Sequence, residues 1–254
     1  MTEADVFSSW LKLAIQVARE AGAKVRAAFG GDLIVDEAHA HDIKLRLDVE
    51  TQALIEARLL GTFPDHSLLG EEGGAGSDGK GAEWIVDPID GTVNLSYGIP
   101  HFCVSIGCRW HGVTQVGVIY DPMREELFTA IRGGGAFLNG RPMRVSSRSE
   151  LAVAAISLGF SKSHETLVKC LDLYAFYGPR TRKLRAMGSA ALDLAYIAAG
   201  RLDGYIEQGI NLWDIAAGQL MVEEAGGKVN LTPRDKPHHF HIVASNGRIS
   251  MPES

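Results

Sequence analysis

The sequence predicts a mixed α/β fold, and three observations carry that reading. Residues 4–29 hold apolar groups at steps of three and four, the period of a long amphipathic helix. Residues 102–131 contain three apolar or alternating runs separated by short turns, the pattern of antiparallel meander strands in a large sheet. From residue 153 onward, short strand-like runs alternate with helix-period segments. The 254 residues, 46% apolar and 22% charged, suffice for a full core. They read as a single domain, with an N-terminal part of about 1–145 closely packed on a C-terminal part of about 146–254.

In chain order, Phe7, Trp10, Leu11, Ala14, Ala18, Ala21, Val25 and Ala28 form the stripe of the first helix, and Gly30-Gly31 ends it. Ile43, Leu45 and Leu47 alternate with Lys44 and Arg46 as a strand. A helix from Val49 to Leu60 follows, with Asp48 placed as its N-cap. Gly70-Glu71-Glu72-Gly73-Gly74 opens a mobile glycine-rich loop to Gly81. Trp84 to Val86 is a buried strand that Pro88 stops, because proline has no N–H for a ladder. Gly91-Thr92 opens a helix.

Strands are expected at 102–106, 113–120 and 126–131, with turns at Asp121-Pro122, Gly133-Gly134-Gly135 and Asn139-Gly140. Val153 to Leu158 is a further strand, followed by a helix over about 163–176. Gly188-Ser189 opens a helix from Ala190 to Ala199, and Tyr205-Ile206-Glu207 ends a short strand. Trp213 to Ala225 is a helix with Asp214 as N-cap, and strands at 228–231 and 242–245 close the chain.

The net charge of −6 argues against a general nucleic-acid binder, which needs a basic surface. It leaves phosphate substrates open, because bound metals reverse the local sign. Cys103, Cys108 and Cys170 lack paired metal spacing and read as free thiols of a reducing compartment. The N-terminus has no basic n-region, and no apolar run is long enough to span a membrane. The cytoplasm is the expected location. His238, His239 and His241 do not have a zinc spacing.

The chemistry gathers on the stretch from Trp84 to Asn94. The turn after the strand aims Asp87 and Asp90 at one point, Gly91 admits a ligand to the backbone, and the helix start at Thr92 attracts an anion. Glu71 and Asp214 are two more carboxylates at a strand end or a helix start. Each residue alone has an ordinary reading as a cap, an Asx turn or a solvated loop. Together, converging like charges require cations, and oxygen-only donors point to Mg2+, or Mn2+, rather than zinc. Arg180, Arg182, Lys183 and Arg185 form a basic cluster, either a solvated connection or a hold on a second anion.

Gly70-Glu71-Glu72, Trp84 through Asn94 and Trp213-Asp214-Ile215-Ala216-Ala217-Gly218 resemble, in order and interval, the three signature blocks of the inositol monophosphatase family. Leu95 departs from the pattern, where the family has an aromatic residue; packing rather than chemistry should change. The resemblance implies a layered αβαβα sugar-phosphatase fold with a large, mostly antiparallel sheet and a smaller second sheet. It implies lithium-sensitive, Mg2+-dependent chemistry on two or three ions. Glu71, Asp87 and the Ile89 carbonyl would hold the first; Asp87, Asp90 and Asp214 the second; a weaker third would sit near Glu71.

By the same resemblance, Thr92 paired with Asp48, together with Glu71, would be catalytic. Asp90, Gly91, Thr92, Ser189, Ala190, Glu207 and Asp214 would meet substrate. A homodimer is also implied. The expected activity is hydrolysis of a small phosphate monoester, foremost inositol monophosphate, by direct attack of a metal-activated water. Fructose 1,6-bisphosphate held by Arg182 and Arg185, histidinol phosphate paired to Glu207, and 3′-phosphoadenosine 5′-phosphate are alternatives. A non-catalytic regulatory protein that keeps the fold is the alternative of a different class.

Overall fold

α1 (Glu3–Ala28) starts on a reciprocal cap. The Thr2 hydroxyl accepts from the Asp5 N–H at 3.2 Å, and the Asp5 carboxylate accepts from the Thr2 N–H at 2.8 Å. Its buried stripe of Trp10, Ala14, Val17, Ala18, Ala21 and Val25 follows the predicted period. The computed structural model describes residues 2–39, 42–76, 81–160 and 164–252.

Three strands and a helix follow before the central stretch: β1 (Val35–His39), β2 (Asp42–Leu45), α2 (Arg46–Thr62) and β3 (Ser67–Gly70). β1 carried no sequence signal that marked it as a strand. β2 ends earlier than expected, so Arg46 and Leu47 belong to α2 and Asp48 is its third residue, not its N-cap. The predicted glycine-rich loop is in part a hairpin, β3 with β4 (Gly73–Gly76). The rest of that predicted loop, at 77–80, lies outside the described residues.

β5 (Ala82–Asp90) corrects another expectation, because Pro88 does not stop it. Asp87 pairs with Ser105 and Asp90 with Cys103, so three steps on one strand oppose two on the other. Pro88 sits inside that bulge, where its missing N–H leaves no ladder bond unmade. α3 (Thr92–Ser96) then leads into the meander β6 (Cys103–Trp110), β7 (Val113–Asp121), β8 (Glu126–Ile131), β9 (Gly135–Leu138) and β10 (Arg141–Pro142). The large sheet runs β10-β9-β8-β7-β6-β5-β3-β4, with β3 parallel to β5 as its only parallel pair among the described residues.

The second half supplies β11 (Ala155–Leu158), α4 (His164–Tyr177), β12 (Lys183–Arg185), α5 (Ala190–Ala198), β13 (Gly204–Asn211), α6 (Leu212–Glu224), β14 (Lys228–Pro233) and β15 (His239–Ser245). The smaller sheet runs β12-β11-β13-β15-β14, with β11 parallel to both neighbours. α6 is apolar around its circumference, burying Leu212, Ile215, Ala217, Leu220, Met221 and Val222. A helix of that kind has to be covered on both sides. It lies with α5 between the two sheets, while α1 and α2 cover the outer face of the large sheet and α4 that of the small one. The five layers are the predicted αβαβα order.

Gly117 in β7 lets α6 approach the large sheet. A Cβ there would stand 2.9 Å from the Ala217 carbonyl oxygen and 3.1 Å from its Cα, both backbone atoms that cannot swing aside. Gly117→Ala is expected to lower stability by about 1–3 kcal/mol through overpacking. A urea midpoint unchanged from wild type would contradict this close contact. Cys103, Cys108 and Cys170 are free and buried, and Leu95 packs in a core cluster with Val25, Leu45, Ile89 and Phe102. Among the described residues no helix is long and apolar enough to cross a membrane.

Candidate active site

The bulge of β5 turns Asp87 and Asp90 toward the carboxyl end of the strand. Asp87 is 2% exposed, and one of its oxygens accepts from the Ile89 N–H at 2.9 Å. Burial pushes its carboxyl well above the usual carboxylate range. The charges of Glu71, Asp90 and Asp214 add to the effect, as does a carboxyl–carboxyl hydrogen bond with Asp214. These four acidic side chains, far apart along the chain, thus act on one another at one place. Among the described residues no three metal-binding side chains are already drawn into a closed cluster; the four face a shared open cleft.

Gly91 is the left-handed residue that ends the bulge and starts α3, with φ 102°. A Cβ there would meet the His101 carbonyl at 2.9 Å, so sterics and backbone conformation both demand glycine. Asp90 faces the start of α5. Its carboxylate accepts from the Ser189 hydroxyl at 2.7 Å, from the Ala191 N–H at 2.6 Å and from the Ala190 N–H at 3.3 Å. Burial raises its pKa to about 6, against the pull of these donors. Ser189 and Ala190, expected to meet substrate, therefore also hold a carboxylate, while both still line the cleft.

Glu71 lies just past the end of β3, its N–H bonded to the Val86 carbonyl at 3.2 Å, and lines the same cleft. Glu72 turns away to pair with Lys44, so of the two adjacent glutamates Glu71 is the one that faces the site. Asp214 is the third residue of α6 rather than its cap. Its carboxylate reaches back to the Asn211 N–H at 2.8 Å, the same arrangement that Asp48 makes in α2 with the Leu45 N–H at 2.9 Å.

Asp48 serves two donors. Beside the Leu45 bond, its other oxygen lies 3.0 Å from the Thr92 hydroxyl, which also reaches the Ile89 carbonyl at 2.8 Å. A hydroxyl has one proton, so only one of the two acceptors takes it at a time. When Asp48 takes it, the Thr92 oxygen gains electron density on the side facing the cleft. Burial holds the Asp48 carboxyl up at about 6, against the Leu45 and Thr92 hydrogen bonds.

The cleft encloses about 690 Å3 between the two sheets. Its lining includes Glu207, whose carboxylate accepts from the Tyr205 hydroxyl. A Cβ on Gly159 would overlap that carboxylate and come within 2.8 Å of the Glu207 Cβ, so glycine there makes the space Glu207 occupies. Ile89, Gly91 and Thr92 also line the cleft.

Arg182 and Arg185, expected as a second anion site, are not among the lining residues. They lie at and beside the edge strand β12, where Arg185 donates to the Leu184 carbonyl at 3.0 Å. Of the three histidines near the end, only His239 lines the cleft. Several residues have roles that the sequence did not assign. Asn94 uses its amide N–H2 on the carbonyls of His101 at 2.8 Å and Met187 at 2.9 Å, tying α3 to the segment that enters α5. Asp193, buried in α5, accepts from the Ser157 hydroxyl at 2.7 Å. Arg234, Lys236 and His239 line the cleft from the β14–β15 connection.

The donor set fits hard divalent cations. It is made of carboxylates and a backbone carbonyl, without thiolate or imidazole, and its buried members repel one another unless positive charge stands between them. A pocket that can hold divalent ions beside a helix start and a hydroxyl-accepting wall is suited to binding and cleaving a small phosphate ester.

Known proteins show the same arrangement of chain. The chain is 42% identical over 248 residues, 93% of its length and 91% of the relative's, to a protein of Pseudomonas aeruginosa named Nus factor SuhB. Two solved structures superpose closely. The extragenic suppressor protein suhB of Bartonella henselae matches with TM-score 0.87 and 36% identity, covering 94% of this chain and 95% of that one. The inositol monophosphatase of Anabaena (Nostoc) sp. PCC 7120 matches with TM-score 0.83 and 38% identity, covering 95% and 92%. The inositol monophosphatase family model matches residues 7–251. With the fold, the family model and the relatives matching over nearly the whole length, the chain belongs to the inositol monophosphatase family.

Proposed function

We propose that the protein hydrolyses a small phosphate monoester of a polyol, with inositol monophosphate the lead substrate, in a Mg2+-dependent reaction. The observation that carries the reading is the meeting of Glu71, Asp87, Asp90 and Asp214 at one cleft that also presents Glu207. Glu71, Asp87 and the Ile89 carbonyl would hold one cation, and Asp87, Asp90 and Asp214 another. Bound divalent cations would supply charge for the phosphate oxygens and make a bound water more acidic than bulk water.

The chain's own residues do the positioning. Gly91 and Thr92 present backbone N–H groups to the phosphate at the turn where no side chain intrudes. Asp48 accepts the Thr92 proton and keeps that hydroxyl oriented to take a proton from the attacking water. Asp90, braced by the start of α5, keeps the second half of the site in register with the first. Glu207 accepts from a substrate hydroxyl, and its Tyr205 bond fixes the carboxylate for that contact. The Ser189 hydroxyl is committed to Asp90 and the Thr92 hydroxyl to Asp48 or the Ile89 carbonyl, and the reading takes water as the direct attacking group.

A phosphate-release screen across inositol, sugar, amino-alcohol and nucleotide phosphates tests the substrate. Glu207→Ala is expected to raise KM for inositol monophosphate by roughly 10- to 100-fold, the worth of a hydrogen bond to a charged acceptor. An aryl phosphate without hydroxyls should change less than about twofold, since it has no group for Glu207 to meet. Efficient turnover of another ester with none of inositol phosphates would remove inositol monophosphate and leave the phosphatase reading standing.

A second reading comes from the Pseudomonas relative's name: the chain acts as a Nus factor, with or without phosphatase activity. Asp87→Asn separates the two. If that variant replaces the relative in its own cell while hydrolysing no ester, the Nus-factor role does not need the catalytic site.

A further inference from the structure

The connection between β14 and β15 contributes to the wall of the cleft. The Arg234 N–H donates to the His239 carbonyl at 2.9 Å, and the His239 N–H to the Lys236 carbonyl at 3.3 Å, which closes a tight loop. The half-buried Arg234 guanidinium is docked by one N–H on the Gln208 carbonyl, in the bulge of β13 immediately after Glu207. Arg234, Lys236 and His239 line the same cleft as Asp87 and Asp214.

These two cations are unusual for their surroundings. The chain carries a net charge of −6. Among the described residues, neither Arg234 nor Lys236 makes an ion pair, although acidic side chains line the same cleft. An arginine anchored through one N–H keeps most of its planar fork available, and that fork matches the two oxygens of a phosphate or carboxylate. Both charges already converge: after burial, Arg234 and then Lys236 push the His239 imidazole down, with Asp235 opposing them.

We propose that Arg234 and Lys236 form a second anion subsite in the cleft wall, so that the preferred substrate carries an anionic group besides the phosphate that is cleaved. The proposal rests on the phosphatase reading above. The docking of Arg234 on Gln208, the residue after Glu207, places this second group next to the hydroxyl that Glu207 meets. The ligand class is a polyol or sugar phosphate bearing a second phosphate or a carboxylate.

The test compares inositol monophosphate, an inositol bisphosphate and a sugar-acid monophosphate on wild type, Arg234→Gln, Lys236→Gln and the double variant. The wild type should show a KM at least tenfold lower for one doubly anionic ester than for the monophosphate. The double variant should raise that KM roughly 10- to 100-fold, as expected for losing charge-assisted hydrogen bonds, and move the monophosphate less than about twofold. Arg234→Lys, which keeps the charge but not the fork, should recover part of the effect. Whether the bisphosphate or the sugar-acid arm responds identifies the second anion.

Equal rises for singly and doubly charged esters would overturn the subsite in favour of general electrostatic attraction, and no rise would overturn it outright. Binding followed by the NMR shift of the Arg234 side-chain N–H keeps the two readings apart. If no ester is turned over but the bisphosphate still moves that signal, and the shift is lost in Lys236→Gln, the subsite stands and the phosphatase reading falls. No shift in the wild type would remove the subsite whatever the turnover.

Discussion

Asp87→Asn is expected to lower kcat by about a thousandfold or more while leaving the fold intact. Asp87 is the carboxylate on which the other three converge, and it is 2% exposed. Asparagine keeps the shape and can still accept from the Ile89 N–H, so the β5 bulge should survive. It removes the negative charge that would be shared between two cations, and several kcal/mol of transition-state stabilisation correspond to roughly a thousandfold in rate. The apo variant should melt no lower than wild type, because a buried like-charge repulsion has been relieved. Phosphate release at saturating Mg2+, beside a thermal melt, checks both halves. Near-wild-type turnover would show that Asp87 holds no essential ion.

Thr92→Val is expected to lower kcat by about 10²- to 10³-fold, within the range typical of a positioned proton-transfer group. Valine is close in volume but presents no hydroxyl to Asp48 or to the Ile89 carbonyl. KM should change little, since the backbone N–H groups at Gly91 and Thr92 remain. The same pair predicts a pH limb. Burial lifts the Asp48 carboxyl to about 6. As pH falls through that value Asp48 takes up a proton and loses its capacity to accept the Thr92 proton, so kcat falls on the acid side of pH 6. The limb requires Asp48 ionised and is therefore a loss at low pH, not a gain. In Asp48→Asn the acid limb should move away from pH 6, and a profile identical to wild type would assign it to another group.

The individual helices and strands were legible because periodicity is a direct consequence of burial, whereas the layer order came from the family resemblance. α1 shows a helical stripe since one face is buried, and the meander shows strands since consecutive neighbours pair. The boundaries misread were those set by side chains acting on the backbone. Asp48 and Asp214 look like N-caps in sequence, yet each is the third helix residue reaching back to an N–H before the helix. A cap and a third-position carboxylate differ only by where the backbone turns, which residue type alone does not specify. Pro88 reads as a strand stop, and the bulge that tolerates it depends on the partner strand β6.

At the site, Glu71, Asp87, Asp90 and Asp214 were found because each follows an apolar strand or opens a helix in a recognisable block. No role for Asn94 or Asp193 is legible in sequence, because they hold other backbone or side chains across long sequence separations. Arg182 and Arg185 were marked because charges adjacent in sequence are conspicuous. Arg234 and Lys236 were not, because the β14–β15 connection brings them to the cleft only in three dimensions.

The most direct test of the account is divalent-ion binding itself, followed by equilibrium dialysis with Mn2+ on wild type and Asp87→Asn in the presence of inorganic phosphate. More than one ion bound per wild-type chain, with occupancy lost in Asp87→Asn and activity rising in step with occupancy, is the predicted result. Undiminished ester hydrolysis after complete chelation, or equal ion binding by the two proteins, would contradict it.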